Sequence, residues 1–491
     1  MALEARTPAS EPHEDFAAFA TRHGLSASAG ERPVVAVQGL GFVGAAMATA
    51  IAAARGSDGA PVYNVVGIDL ATEDGARRIG ALNAGRFPFA TEDNALAAAV
   101  AAARREGNLI AAADAAGFAF AHIAVVDVPL DVDESGPEPA VDFAPFRTAV
   151  RTLGAHLPEG ALVLVESTVP PGTCERVVAP ELARALAARG LAADALLLAH
   201  SYERIMPGPD YLASITHYWR VYAGRTEAAA EACRRFLDSI IDTARFPLTR
   251  LATTTESETA KVLENSFRAV TIAAMDEWGR FAEAAGVDLF AVADAIRLRP
   301  SHANLRDAGF GVGGYCLPKD PLLAGISARA LFGRDDIAFP VAEHAVAVNR
   351  AMPLGALDRL ETLLDGLAGK RLLLAGVSYR AGLDDTRGSS SETFWRAAQA
   401  RGAEVLCHDP MVRRWAQLGL DLPDTLPRAD GIDALVLAVA HAEYRAHDWA
   451  AWAGAARPLI FDANNVLDAP ARARIKAAGL RLVSLGRGRG T

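Results

Sequence analysis

Cysteine is scarce in this chain of 491 residues: Cys174, Cys233, Cys316 and Cys407 lie far apart, with no CxxC pair and no Cys/His metal spacing. That set excludes a disulfide framework and a zinc ribbon, so free thiols in a reducing, cytoplasmic compartment are expected, with no bound metal. No run of about 18 apolar residues occurs, and no segment is expected to cross a membrane. The opening MALEARTPASEPHEDF is acidic and lacks the charged-then-apolar pattern of a signal peptide. Positive charge is short as well. A net charge of -10 argues against non-specific nucleic-acid binding and against an anionic membrane surface, while leaving room for local phosphate pockets.

What is present is ordinary for a large folded protein: 51% hydrophobic and 22% charged residues, enough for roughly three domains. Short apolar runs alternate with helix-forming stretches. Val34 to Val37, Val62–Leu70, Phe120–Leu130, Ala161–Thr173 and Ala195–Gly208 read as buried strands, most running into polar loops. From about Glu256 the texture changes to one long helical pattern without glycine until Gly279. A second helix is expected between the prolines of Pro340–Pro353. Strands then return at Gly369–Arg380, Ala403–Pro410, Asp433–Tyr444 and Pro458–Asp468. The fold class is therefore α/β: an N-terminal Rossmann domain, a central helical linker and a C-terminal Rossmann-like domain. The expected bounds are an extension at 1–32, then domains at 33–235, 236–355 and 356–491.

Between the first strand and its helix lies GLGFVG, with Gly39, Gly41 and Gly44 in the places where a dinucleotide fold needs them. The first glycine makes the turn, the second lets a pyrophosphate approach, and the third packs helix on strand. The helix N-terminus offers unpaired N–H groups to phosphate. Asp69 closes the second strand, where an acid binds a ribose hydroxyl and repels a 2′-phosphate; NAD is the expected cofactor. The bland alternative is a glycine turn with no ligand.

Other polar clusters sit at strand ends, where open α/β sheets bind ligands. VESTVPPGT places Glu166, Ser167 and Thr168 there, which otherwise reads as a capping turn. SYERIMPG adds Glu203 and Arg204, which otherwise form a surface charge pair. Lys261 and Asn265, four apart, share one face of the long helix. In GFGVGGYCLPKDP, Cys316 follows Gly313-Gly314 and precedes Lys319 and Asp320. A thiol becomes a nucleophile beside a base, a cation or a helix N-terminus; the alternative is a structural cysteine in a glycine turn.

In this order, GLGFVG, VDVPLD, ESTVPPGT, ERIMPG, the Lys261–Glu264–Asn265 helix, GFGVGGYCLPKDP and GVSYRAGLDDTRGS resemble the UDP-glucose/GDP-mannose dehydrogenase family, from about Val34 to Asp468. The resemblance implies NAD-dependent oxidation of a nucleotide sugar to a uronic acid by a homodimer. It assigns NAD contacts to Gly39, Gly41, Phe42, Val43, Gly44, Asp69, Pro129, Thr168, Lys319 and Arg387. It assigns substrate contacts to Glu203, Arg204, Lys261, Asn265, Gly313, Gly314, Tyr379 and Arg380. Catalysis then falls to Cys316 as nucleophile, Lys261 and Asn265 as oxyanion donors, Asp320 and Thr168 as water-orienting groups and Glu203 as acid/base. Asp385 and Arg387 match the family's DDxR, and Arg299 and Arg306 are candidates for an arginine lent to a partner subunit. ERIMPG is similar to the N-acetylhexosamine branch, GGYCLPKD to the UDP-glucose branch, and Tyr379-Arg380 stands where many relatives have Tyr-Lys; GDP-mannose is the alternative substrate. Two rivals remain: a two-electron β-hydroxyacid-type dehydrogenase, which needs neither the cysteine nor a second α/β domain, and a nucleotide-sugar sensor, which has no use for the full catalytic set.

Overall fold

The computed structural model describes residues 16–22 and 32–488. Most of the extension expected at 1–32 therefore lies outside the described residues; its helix Phe16–Arg22 buries Phe19 in the core of the first domain.

Ten strands precede the long helix: β1 Val34–Gln38, β2 Asn64–Ile68, β3 Leu109–Ala112, β4 Ile123–Val126, β5 Val132–Asp133, β6 Ala140–Val141, β7 Leu162–Val165, β8 Leu197–His200, β9 Val221–Gly224 and β10 Thr249–Arg250. Eight form one sheet in the order β10-β9-β8-β7-β4-β1-β2-β3. Its central strands are parallel and buried on both faces, which is why they read as unbroken apolar runs. β9 runs antiparallel to β8, and β10 extends the sheet beyond the boundary expected at 235. The strand order reverses between β1 and β4, which places the ligand crevice over Gly39 and the residues after Val126.

The second sheet holds β11 Arg371–Ala375, β12 Glu404–His408, β15 Ala434–Leu437, β16 Leu459–Asp462 and β17 Leu482–Ser484, with a side hairpin of β13 Arg414–Trp415 and β14 Leu420–Asp421. Its order is β12-β11-β15-β16-β17, all parallel, with the switch between β11 and β15. This domain is doubly wound like the first, in the 2-1-3-4-5 arrangement.

Between the sheets runs a 32-residue spine helix, Thr254–Ala285. A capping box of Thr253 and Glu256 starts it and Gly286, at φ 77°, ends it. Gly279 stays inside the helix because Ala308 and Gly486 pack where a side chain would stand. The second helix differs from expectation: it does not stop at Pro353 but runs from Pro340 to Leu364, across the boundary expected at 355. Proline leaves the carbonyl four residues earlier without its helical partner. That residue is Asn349, whose side chain accepts from Val312 N–H at 2.8 Å and donates to Val312 C=O at 2.7 Å. The break in the helix ladder thus coincides with the docking point of the glycine-rich segment.

The chain's last described residues also close the fold. Gly486 donates to Glu283, Gly488 donates to Val287, and Arg487 pairs with Asp288, so the end of the C-terminal domain returns to the turn after the spine helix. Among the described residues, no helix is long and apolar enough to cross a membrane.

Phe310, inside the glycine-rich segment, is 2% exposed and belongs to the core of the second sheet, its ring 5.4 Å from Phe394. Phe310→Ala should cost about 3–5 kcal/mol of stability in the C-terminal domain, read as a lowered denaturant midpoint. An unchanged midpoint would show that this contact does not anchor the segment.

Candidate active site

The glycine turn fits a dinucleotide by geometry. Gly39 has φ +92°, and a Cβ there would lie 2.5 Å from the Asp127 carbonyl; one on Gly44 would lie 1.9 Å from the Gly39 carbonyl. Gly41 has nothing within 4 Å of such an atom, so its face is open where a pyrophosphate must approach. Phe42 opens the helix that Val43 continues, stacks on Phe89 at 3.8 Å and carries the Arg387 guanidinium at 5.2 Å. Asp69 stands beyond β2, accepting from Leu40 N–H at 3.2 Å and paired with Arg78 at 2.7 Å.

Beneath this turn lies a buried charge cluster. Asp127 and Glu166 follow paired residues of β4 and β7 and stand side by side. Glu166 pairs with Arg220, both almost wholly enclosed. Burial pushes Asp127 well above the usual carboxylate range, reinforced by Glu166 and Glu203 and opposed by Arg220. Burial raises Glu166 too, but its guanidinium partner opposes the rise. One proton on Asp127 leaves one carboxylate for one guanidinium, the balance a dry site requires.

The next layer is built on the spine helix. Lys261 donates from Nζ to the Glu203 carbonyl at 2.8 Å and lies 3.3 Å from its Oε1. Asn265 donates to Asp320 Oδ2 at 2.7 Å, and Lys319 meets Asp320 Oδ1 at 2.8 Å. All five side chains are buried. Burial works against the charge on Lys261, but Glu203, Cys316 and Asp320 outweigh it and its pKa is raised. The structure thus brings Cys316, Lys261, Asn265, Asp320 and Glu203 into one cluster from three separate stretches of chain.

Glycines seat the cysteine. A Cβ on Gly313 would lie 2.3 Å from the Gly388 carbonyl, and one on Gly314 (φ +86°) 2.9 Å from the Tyr379 ring. Gly314 N–H donates to the Arg387 carbonyl at 3.2 Å, and the Cys316 carbonyl accepts from Lys319 and Asp320 N–H. Arg387 is held by Asp385 at 2.8 Å. Arg380 lines a cavity of about 300 Å³ together with Met206, Pro207, Asp210, His217 and Tyr218.

Other expected residues stand apart from this cluster. Arg204 is engaged by Glu264 at 2.8 Å and by the Trp219 carbonyl, next to the Tyr202 ring that Lys261 also faces. Thr168 is half-buried in the loop after β7, and Pro129 is exposed. Arg299 is exposed on the surface, whereas Arg306 has its Nε buried. Sequence reasoning missed Asp127, Arg220, Glu258 and Arg268. Arg268 lies one helical turn beyond Asn265, and the nearby charges of Arg306 and Arg380 help to lower its pKa, after burial. The signal for it was the three-residue step from Asn265.

Three segments of the chain match known domain descriptions: the UDP-glucose/GDP-mannose dehydrogenase family NAD binding domain at 34–240, its central domain at 255–351, and its UDP binding domain at 373–469. The UDP-N-acetyl-D-mannosamine dehydrogenase of Pyrococcus horikoshii is 31% identical over 354 residues, 71% of this chain and 78% of that protein. The UDP-glucose 6-dehydrogenase of Rickettsia conorii is 26% identical over 347 residues, 69% of this chain and 76% of that protein. Among solved structures, the UDP-D-ManNAc dehydrogenase of Pyrococcus horikoshii superposes with a TM-score of 0.78 at 26% identity, covering 92% of this chain and 99% of that one. A UDP-glucose dehydrogenase of Pyrobaculum islandicum gives 0.75 at 27%, covering 91% and 98%.

The resting state of the cysteine follows from its neighbours. Burial pushes the Cys316 thiol up to about 12, Asp320 adds to the rise, and Lys261 opposes it. The ligand-free protein should therefore alkylate slowly at Cys316 at neutral pH. Asp320→Asn removes the anion and should speed alkylation of that peptide, measured by mass spectrometry. A slower or equal rate would contradict this account of the thiol.

Proposed function

The chain belongs to the UDP-glucose/GDP-mannose dehydrogenase family, and on that premise we propose that it oxidises the C6 alcohol of a UDP-linked hexose or N-acetylhexosamine to the uronic acid. The observation that carries this reading is the convergence of Cys316 with Lys261, Asn265, Asp320 and Glu203, between an open dinucleotide turn and the Tyr379–Arg380 rim. NAD supplies the hydride acceptor, one molecule for each of two steps.

In the first step the C6 carbon gives up a hydride and its hydroxyl proton passes to Glu203, leaving an aldehyde. Lys261 and Asn265 hold the oxygen while its charge develops. Cys316 sulfur then bonds to the aldehyde carbon as the thiol proton moves to the oxygen, giving a neutral thiohemiacetal. Loss of a second hydride from that carbon and of the hydroxyl proton makes a thioester. Water held by Asp320 and Thr168 attacks the acyl carbon, the C–S bond breaks, and Cys316 is regenerated beside a free carboxylate. The sum is alcohol, water and two NAD giving carboxylate, two NADH and three protons.

Several exposed apolar side chains, Leu263, Phe267, Trp278 and Phe281, line the spine helix at helical spacing, and they support a homodimer formed through this helix. Light scattering should give twice the chain mass of 51.5 kDa; a monomer would remove the proposal.

Purified protein should release about two NADH for each sugar consumed, a stoichiometry set by the four-electron oxidation. UDP-N-acetylmannosamine, UDP-N-acetylglucosamine, UDP-glucose and GDP-mannose form the first panel. One NADH with a released aldehyde would sink the thioester route. Cys316→Ser should stop overall turnover, and an unchanged steady-state rate would refute the nucleophile.

A further inference from the structure

Glu258 takes no part in the chemistry just described, yet it is fully buried on the same helix face as Lys261 and Asn265, three and seven residues before them. Its two oxygens serve two different backbone donors across the domain boundary. Gly172 N–H reaches Oε2 at 2.5 Å and Cys174 N–H reaches Oε1 at 2.7 Å. These donors end the VPPGT loop, where Gly172 has φ +92°. The start of the loop is pinned independently, since the Ser167 hydroxyl donates to the carbonyls of Val126 and Val128. Ser327 grips it from a third side by donating to the Pro171 carbonyl. Thr168 lies between these fixed points.

We propose that Glu258 is a positioning residue whose carboxylate locks the loop carrying Thr168 against the helix face that bears Lys261 and Asn265. The catalytic part of this inference rests on the reading above; the loop clamp itself does not. A carboxylate accepts strongly at both oxygens, whereas a protonated carboxyl carries a donor on one of them, and the N–H bond to that hydroxyl oxygen is weakened. The clamp therefore depends on charge. Burial pushes Glu258 up to about 7, against the pull of the Cys174 and Gly172 donors. Above that pH both bonds are charge-assisted, and below it the clamp is loosened.

The groups facing Glu258 do not titrate in the same range. Burial and Glu258 itself drive the Cys174 thiol far up, so it stays neutral. His200, bonded to the neighbouring Ser257, is pushed down to about 3 by burial and by Arg220. Lys261 is raised and stays charged. Glu175 raises Glu258 from the loop side and is itself paired with Arg225 at 3.0 Å, while Arg176 stacks on Phe332 at 4.3 Å beside Gly172.

Two variants and one direct measurement test this. Glu258→Gln keeps one acceptor and turns an amide N–H toward the other donor, so kcat should fall about tenfold to a hundredfold, as expected for a small misplacement. The KM for NAD should hardly change, and the fall in kcat expected of the wild type below about pH 7 should vanish. Ser327→Ala loosens the same loop without removing a titrating group, so its kcat should fall while the acid limb remains. Hydrogen exchange at the Gly172 and Cys174 amides, corrected for intrinsic rates, needs no substrate. In the wild type their protection should fall as pH drops through about 7, and in Glu258→Gln it should be low throughout. Protection that is flat with pH in the wild type overturns the clamp. An acid limb retained in Glu258→Gln overturns its role in turnover, whereas absence of turnover with every nucleotide sugar overturns only the proposed reaction.

Discussion

Glu258, Lys261 and Asn265 stand on one face of the spine helix, and each grips a segment that arrives from elsewhere. The first holds the loop after β7, the second the loop after β8, and the third the Asp320 that follows the cysteine. Seven residues of helix cover only about 10 Å, so three segments that are far apart in sequence are gauged against one short, stiff rule. The helix is capped at both ends and packed along its length by the second connecting helix, which keeps the rule straight. A site assembled from loops gains its accuracy from the rigid element the loops are tied to.

The same arrangement explains why so many charges can be buried together. Lys261 and Lys319 face Glu203 and Asp320, two cations with two anions. Below them Glu166 faces Arg220, with Asp127 neutral beside the pair. Each layer is balanced, and removing one member of such a set leaves an uncompensated charge away from water. In the upper layer the two anions offset the two cations, and burial together with Asp320 outweighs Lys261 and Lys319 at Cys316. The thiol rests protonated, and a sulfur that adds to an aldehyde while handing its proton to oxygen creates no net charge in this enclosure. Electrostatics thus favours a thiol that reacts only when an electrophile is in place.

Much of this organisation is legible in the residues. The β1 turn, the long helix and the second strand series follow from periodicity and from glycine placement, because those signals are local. Lys261 and Asn265 were visible as a four-residue step, and Cys316 as a thiol between glycines and charges. The helix through Pro353 was not legible: the break is tolerated through contacts of Asn349 and Gly311, and proline alone argues for a stop. Arg220 precedes β9, whose antiparallel pairing with β8 is chosen by tertiary packing, and nothing near it in sequence announces Glu166. Asp127 lay inside a recognised motif, but its burial beside a second carboxylate depends on strand register. The C-terminal return to the spine helix is likewise a contact between ends some 200 residues apart.

The glycine-rich segment ties the cysteine to the position of a whole domain. Gly313 meets the Gly388 backbone so closely that even a methyl group would force the two apart, and Gly314 lies against Tyr379. Phe310 is sunk in the C-terminal core, so the segment travels with that domain. Meanwhile Asp320, four residues after the thiol, is fixed to the spine helix by Asn265. Cys316 therefore spans two bodies: its upstream glycines belong to the C-terminal domain and its downstream acid to the helix. Arg387 extends the same domain onto Phe42 of the dinucleotide turn. Any shift of the C-terminal domain must change the seating of Cys316 and the packing of that turn together. The proposed reaction, drawing twice on the cofactor and once on the thiol, then has one mechanical coordinate for both, because at Gly313 and Gly388 the backbones meet without side chains between them.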